Sequence, residues 1–257
     1  MNVVSSPAPL VAVSEPEWKL RCDLAALYRL VAHHRWTDFV YTHISARLPG
    51  AEHYFLINPY GVNFHQIRAT ELVKIDMDGQ VTQHDGESQR VNAAGFTIHS
   101  AVHMARPDLM CVVHTHTAAG IAVSAQKQGL LPISQHALKF FGRLAYHGYE
   151  GIALDLDERE RLVADLGPHK AMILRNHGLL VGGTSIAEAF HMIYMLERAC
   201  QAQVAALSGG AELLFPPEDV CRHTAEQFRK QENDEHYAMM WNAALQLIEH
   251  DEPDYRS

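Results

Sequence analysis

The sequence predicts an α/β protein: one domain followed by a helical C-terminal extension. Three observations predict it. Segments of helical period are interleaved with segments of period two across residues 16–210. No internal repeat or low-complexity linker interrupts the chain before residue 208. The 257 residues, 47% hydrophobic and 20% charged, suffice for a core without disulfide staples.

The elements follow in order. Residues 1–15 carry Pro7 and Pro9 among Ser and Ala, and read as a flexible arm. Leu20, Leu24, Leu27 and Val31 share one helical face, and that helix ends near His34. In FVYTHISARL, Val40, Thr42, Ile44, Ala46 and Leu48 alternate with Phe39, Tyr41, His43, Ser45 and Arg47, as in a strand. Pro49-Gly50 turns the chain into a partner strand over 53–57, and Asn58-Pro59-Tyr60-Gly61 is a loop. Asp78-Gly79 marks a hairpin between 71–76 and 80–83.

A helix over 93–105 puts Phe96, His99, Val102 and His103 on one face and stops at Arg106-Pro107-Asp108. Residues 110–114 form a short buried strand, and 118–128 a small-residue helix ended by Gly129. Strands or strand edges follow at 154–157 and 171–175. Ser185 and Glu188 form a capping box that opens a helix to about Leu207. Residues 211–257 make the extension: one helical stretch over 218–249 and a frayed tail.

Net charge is −9 with His neutral, which excludes the clustered basic surface of a nucleic-acid binder. No apolar run approaches the ~18 residues of a membrane span. The first residues lack the positive region of a secretory signal, and Cys22, Cys111, Cys200 and Cys221 form no C-x-x-C pair. A cytoplasmic protein with free thiols is expected.

The chain has 18 histidines, and imidazole is both a common metal ligand and a proton carrier. In Cys111-Val112-Val113-His114-Thr115-His116 an apolar strand runs into H-x-H. Residues two apart on a strand point to one side, so His114 and His116 suit two ligands of Zn²⁺ or Fe²⁺; two exposed strand-end histidines would read the same. Arg175-Asn176-His177-Gly178 also follows an apolar strand and offers His177 as a third ligand or as a plain turn residue.

The segments VVHTHTAAGIAVSA, LLPIS and ILRNHGLLVGG, with NPYGVNF, ELVKIDMDG and NAAGFTIHSAVHMARPD, resemble the class II aldolase/adducin family over residues 20–210. The last three resemble adducin heads and their bacterial relatives more than the sugar-phosphate aldolases. The resemblance implies a single domain with a central, mostly antiparallel sheet and helices packed on both sides. It implies a homotetramer with sites at subunit interfaces and a divalent metal, Zn²⁺ or Fe²⁺, held by His114, His116 and His177.

The departures narrow the chemistry. The aldolase Glu that serves as ligand and base falls on Gly95, and the phosphate-gripping serines on Ala93 and Ala94. The phosphate loop falls on Thr42-His43, and the tyrosine given by the neighbouring subunit falls near His136. His136 is therefore the candidate acid/base. The candidate substrate contacts are His43, facing the site in place of the phosphate loop, Asn58 and Gly61 of NPYGVNF, and Tyr149. Glu87 could supply the missing carboxylate or lie in a solvated loop, and His99 and His103 form a helix-face pair better suited to the core. Three neutral imidazoles leave a metal its full charge, which favours a small anionic, chelating substrate. The expected activity is carbon–carbon lyase chemistry on a non-phosphorylated hydroxy- or oxo-acid. The alternatives are a three-His iron oxygenase of an aromatic hydroxy or keto acid, and a non-catalytic adducin-like module.

Overall fold

A computed structural model of the chain describes residues 13–50, 53–82, 91–153, 155–250 and 252–257. Most of the expected N-terminal arm, and Glu87, lie outside the described residues.

Seven strands form one sheet: β1 (His43–Arg47), β2 (Phe55–Ile57), β3 (Val73–Ile75), β4 (Cys111–Thr115), β5 (Leu144–His147), β6 (Ala171–Leu174) and β7 (Gly178–Gly183). Their order is β3-β2-β1-β4-β7-β6-β5. Every neighbouring pair is antiparallel except β5 with β6. The mostly antiparallel sheet implied by the resemblance is therefore the one observed.

Helices cover both faces. Ile44, Ala46, Cys111 and Val113 join the main core with α1 (Glu15–His33), α6 (Ile186–Ser208) and α8 (Asp234–Glu249). Val112, Met172, Leu174 and Leu180 pack with α2 (Ala93–Ala105) and α5 (Glu158–Leu166) on the other face. Adjacent residues Val112 and Val113 go to opposite cores because strand side chains alternate. β4 is central, paired to β1 and β7, so the sheet holds its C-terminal end firmly in place.

The structure differs from the sequence reading at six places. β7 (GLLVGG) is buried along its whole length, so both faces are apolar or glycine and no alternation marks it. β5 was not expected either. Residues 155–157 are loop and turn rather than a strand, and they lead into α5, whose Leu162 and Leu166 face the second core; Leu154 lies outside the described residues. The first strand begins at His43, four residues later than expected, because Phe39 takes a left-handed φ of 47°.

The expected helix over 218–249 is two, α7 (Glu218–Gln231) and α8. The chain breaks where Glu232 turns to take Lys139 and Arg143, each at 2.6 Å, and Asn233 caps α8 by accepting from the His236 N–H at 2.9 Å. The tail is not frayed: Pro253–Arg256 form a 3-10 turn, Tyr255 is buried in the main core, and Arg29 pairs with Glu252 and Asp254. All four cysteines are free.

Candidate metal centre

The site forms where three antiparallel strands end together. His114 is the fourth of five residues in β4, and His116 follows one residue past its end. Between β6 and β7 the chain reverses through Arg175-Asn176-His177. Asn176 takes a left-handed φ of 56°, a conformation Asn tolerates better than most residues. Gly178 is required beside it: a Cβ there would lie 2.3 Å from the Thr115 carbonyl oxygen. The missing side chain lets the start of β7 press against the end of β4 and brings His177 to the H-x-H pair.

The three rings meet. Centroids are 4.6 Å apart for His114–His116 and 4.8 Å for both other pairs. One nitrogen from each lies within 4.8 Å of the others.

The hydrogen bonds define the tautomers. His114 Nδ1 is 2.9 Å from the Leu179 carbonyl oxygen, which can only accept, so Nδ1 carries the hydrogen. His116 Nδ1–H donates to the Asp38 carboxylate at 3.0 Å. The two Nε2 atoms then face each other at 2.8 Å. A shared proton satisfies that approach, and so does a cation bound by both nitrogens. A third imidazole beside them makes a divalent metal the fitting occupant, with Leu179 and Asp38 as the outer partners that orient metal-bound histidines. His114 and His177 are also held neutral, as ligation demands. Burial, then His116 and His177, keeps His114 well below the ordinary imidazole range, and burial with His116 and His147 takes His177 to about 4.

His43 lies directly across from His114 in the β1–β4 register, with ring centroids 5.1 Å apart. Its Nδ1 is 2.7 Å from His99 Nε2. His99 Nδ1 in turn meets the Ser45 hydroxyl, which lies 2.7 Å from His103 Nε2. His99 and His103 are thus the core-facing pair expected of them, but hydrogen-bonded into a chain that ends at the site.

The remaining expected residues divide. Tyr149 is exposed at the rim, its ring 6.4 Å from His177. Asn58 is turned inward: its Oδ1 accepts from the Tyr28 hydroxyl at 2.9 Å, and its side chain anchors the loop to α1. Gly61 is an exposed turn residue with φ of 94° and open space around it, on the loop that leaves β2 beside His43. His136 is on the short helix α4 (Gln135–Leu138), half-buried with Arg198 of α6 nearby, and is not brought to the three imidazoles within this chain. His147 is buried between Asp165 at 2.7 Å and Glu158 at 3.4 Å. Asp38 had no sequence signal: it lies 78 residues before His116 in a turn.

The family model described as "Class II Aldolase and Adducin N-terminal domain" matches residues 22–204. The chain is similar to a crystal structure of an aldolase II superfamily protein from Pseudomonas syringae, with 55% identity and a TM-score of 0.91 over 95% of this chain and 98% of that one. It is similar to the L-fuculose 1-phosphate aldolase of Glaciozyma antarctica, with 30% identity and a TM-score of 0.82 over 97% of each chain. It is 45% identical to rat (Rattus norvegicus) alpha-adducin over 79% of its own length and 28% of that protein's.

Proposed function

The chain belongs to the class II aldolase and adducin family, and on that premise we propose that it is a divalent-metal-dependent carbon–carbon lyase. Its substrate is a small, non-phosphorylated hydroxy- or oxo-acid. His114, His116 and His177 are the ligands. The observation that carries this reading is the convergence of three imidazoles, one nitrogen from each within 4.8 Å of the others, with His114 and His116 anchored through their other nitrogen.

A divalent metal held by His114, His116 and His177 would supply Lewis acidity toward a carbonyl oxygen. The chain supplies the rest. Asp38 and the Leu179 carbonyl hold two rings in one tautomer. Three uncharged ligands leave the centre positive, which selects an anion. Ala93 and Ala94 open α2 without the hydroxyls that would hold a phosphate through side chains. His43 and Tyr149 border the substrate, with Gly61 on the neighbouring loop. His136 serves as acid/base only if a second copy presents it, as in a homo-oligomer with shared sites.

Metal analysis of folded protein tests the reading. His114→Ala is expected to lower zinc affinity at least about a thousandfold, because an anchored ligand is lost from a site of three. Unchanged metal content in a folded His114→Ala or His177→Ala variant overturns it. Carbon–carbon cleavage is then sought with a panel of hydroxy- and oxo-acids.

A second reading, an adducin-like module without turnover, is favoured by one observation: the first turn of α2, Ala93-Ala94-Gly95, offers no carboxylate base. Zinc binding without turnover of any acid would favour it. The iron-oxygenase alternative draws no support from the relatives above.

A further inference from the structure

The turn that carries His177 is held by hydrogen bonds whose direction is fixed. The Arg175 N–H donates to the His147 carbonyl at 2.8 Å, and the Asn176 N–H donates to the Ser124 carbonyl at 3.3 Å. The Arg175 guanidinium donates through Nη1 to the Gln126 carbonyl at 2.7 Å. A guanidinium only donates and a carbonyl only accepts, so no tautomer enters. The guanidinium carbon also lies 4.2 Å from the centroid of the Tyr146 ring, a cation–π contact. Tyr146 is itself fixed. Its hydroxyl accepts from the Leu130 N–H at 3.0 Å, and it sits where a Cβ on Gly129 would come within 2.5 Å.

These contacts join the two halves of the metal centre. The helix α3 (Ala118–Ser124) begins two residues after His116, and its Thr117 cap accepts from the Gly120 N–H at 3.0 Å. The last carbonyls of a helix have no partner within it. Ser124 is the last residue of α3 and Gln126 lies two beyond, and both give their carbonyls to the turn that carries His177. One short helix therefore starts beside His116 and ends against the turn that carries His177. That turn needs the support, because Asn176 has a left-handed φ of 56° and such a conformation persists only where its surroundings hold it.

We propose that Arg175 is the positioning residue for the third ligand: braced on Tyr146, it ties the His177 turn to the end of α3 and so sets His177 against His114 and His116. This rests on the metal-centre reading above. Arg175 acts through His177 and not on the ion. Lysine would keep the charge, but it has no planar face for the Tyr146 ring and no forked donor.

Zinc affinity is measured by chelator competition for the parent, Arg175→Met, His177→Ala and the double variant. Arg175→Met is expected to weaken zinc about tenfold or more, as loss of a ligand's outer support does. In the His177→Ala background the same change should cost less than about twofold, because no third ligand is left to position. Arg175→Lys should fall between the parent and Arg175→Met. With cobalt in place of zinc, the visible spectrum of Arg175→Met should move toward that of His177→Ala. One readout needs no metal: in the apoprotein, Arg175→Met should speed amide exchange at Asn176 and leave β4 unchanged. Unchanged zinc affinity in folded Arg175→Met overturns the inference. So does a loss equally large with and without His177, since Arg175 would then support the fold and not the ligand. Should Arg175→Met fold poorly, Arg175→Lys is put through the same comparison, and equal losses in both backgrounds overturn the inference there too. If the parent protein binds neither zinc nor cobalt, the metal-centre reading itself falls, and the inference with it.

Discussion

β1 and β4 bury both of their faces, and the two faces are built from opposite chemistry. Toward α1 and α6 they present Ile44, Ala46, Cys111 and Val113, which join one apolar core. Toward α2 they present His43, Ser45, Arg47 and His114, all buried as well, with Val112 as the apolar exception. The apolar face is held by contact area, which is non-directional and tolerates small shifts. The polar face is held by paired groups: His43 to His99, Ser45 to His99 and His103, Arg47 to the His103 carbonyl, His114 to Leu179. Each pair demands a set distance and a set tautomer, because an unpaired buried polar group is costly. One sheet thus carries stability on one side and a positioned site on the other, ten backbone residues serving both.

The largest test of that division falls on the apolar face. Ile44→Ala removes a fully buried side chain one residue from His43. It should cost about 2–5 kcal/mol of stability, read by denaturant unfolding, and leave zinc affinity of the folded protein unchanged. A matching loss of zinc affinity would mean that the two faces are not separable.

The polar face should reveal itself through pH. Burial lowers the pKa of His99, with His103 adding to it, and takes that of His103 to about 3, with Arg47 adding to it. Both rings stay neutral when folded, but the unfolded chain protonates near 6.5. Stability is therefore complete above pH 6.5 and is lost as pH falls below it, by roughly 1.4 kcal/mol per pH unit for each ring that titrates only when unfolded. Urea unfolding of metal-free protein at pH 7.5, 6.5 and 5.5 checks this. A flat profile would show that the rings are charged in the fold. Glu232 contributes at lower pH. Burial alone would raise its pKa, but Arg143 and Lys139 outweigh that and hold it at about 2, so its ion pairs persist through this range.

How much of this was legible in the sequence depended on reach. α1, α2 and α6 were legible because their apolar period and caps are local. The grouping of His114, His116 and His177 was legible through the family resemblance, because H-x-H and N-H-G alone fit plain strand-end and turn histidines as well. β7 was not, since a strand covered on both faces has no alternation to find. Asp38 and His99 were not recognisable as partners, because 78 residues separate Asp38 from His116 and 56 separate His99 from His43. Asn58, a candidate substrate contact by its place in NPYGVNF, is buried, and its amide oxygen accepts from Tyr28, a helix residue 30 positions away. Gly95 was read as a loss. Only the position of the His43 ring gives the glycine a reason to be there, since a Cβ at position 95 would lie 2.5 Å from His43 Cδ2.

Asp38→Asn sharpens the comparison from the solvent side. Asp38 is half exposed and holds only the outer nitrogen of His116. Asn keeps an acceptor but removes the charge and permits the flipped amide. Zinc affinity should fall about 10–100-fold, the usual worth of an outer partner of a metal ligand, with little change in apoprotein stability.

The smallest effect belongs to the rim. Tyr149 is exposed and reaches the site only through its ring, 6.4 Å from His177. Tyr149→Ala should change stability by no more than about 0.5 kcal/mol, as exposed substitutions do, and should leave zinc affinity intact. What it should change is the affinity of a bound acid, because the ring flanks the open side of the centre, where ligand and solvent compete. If zinc affinity falls instead, the ring is supporting His177. The turn that carries this third ligand would then depend on the rim as well as on Gly178 and the end of β4, and the boundary between the positioned face and the solvent would have to be drawn one residue further out.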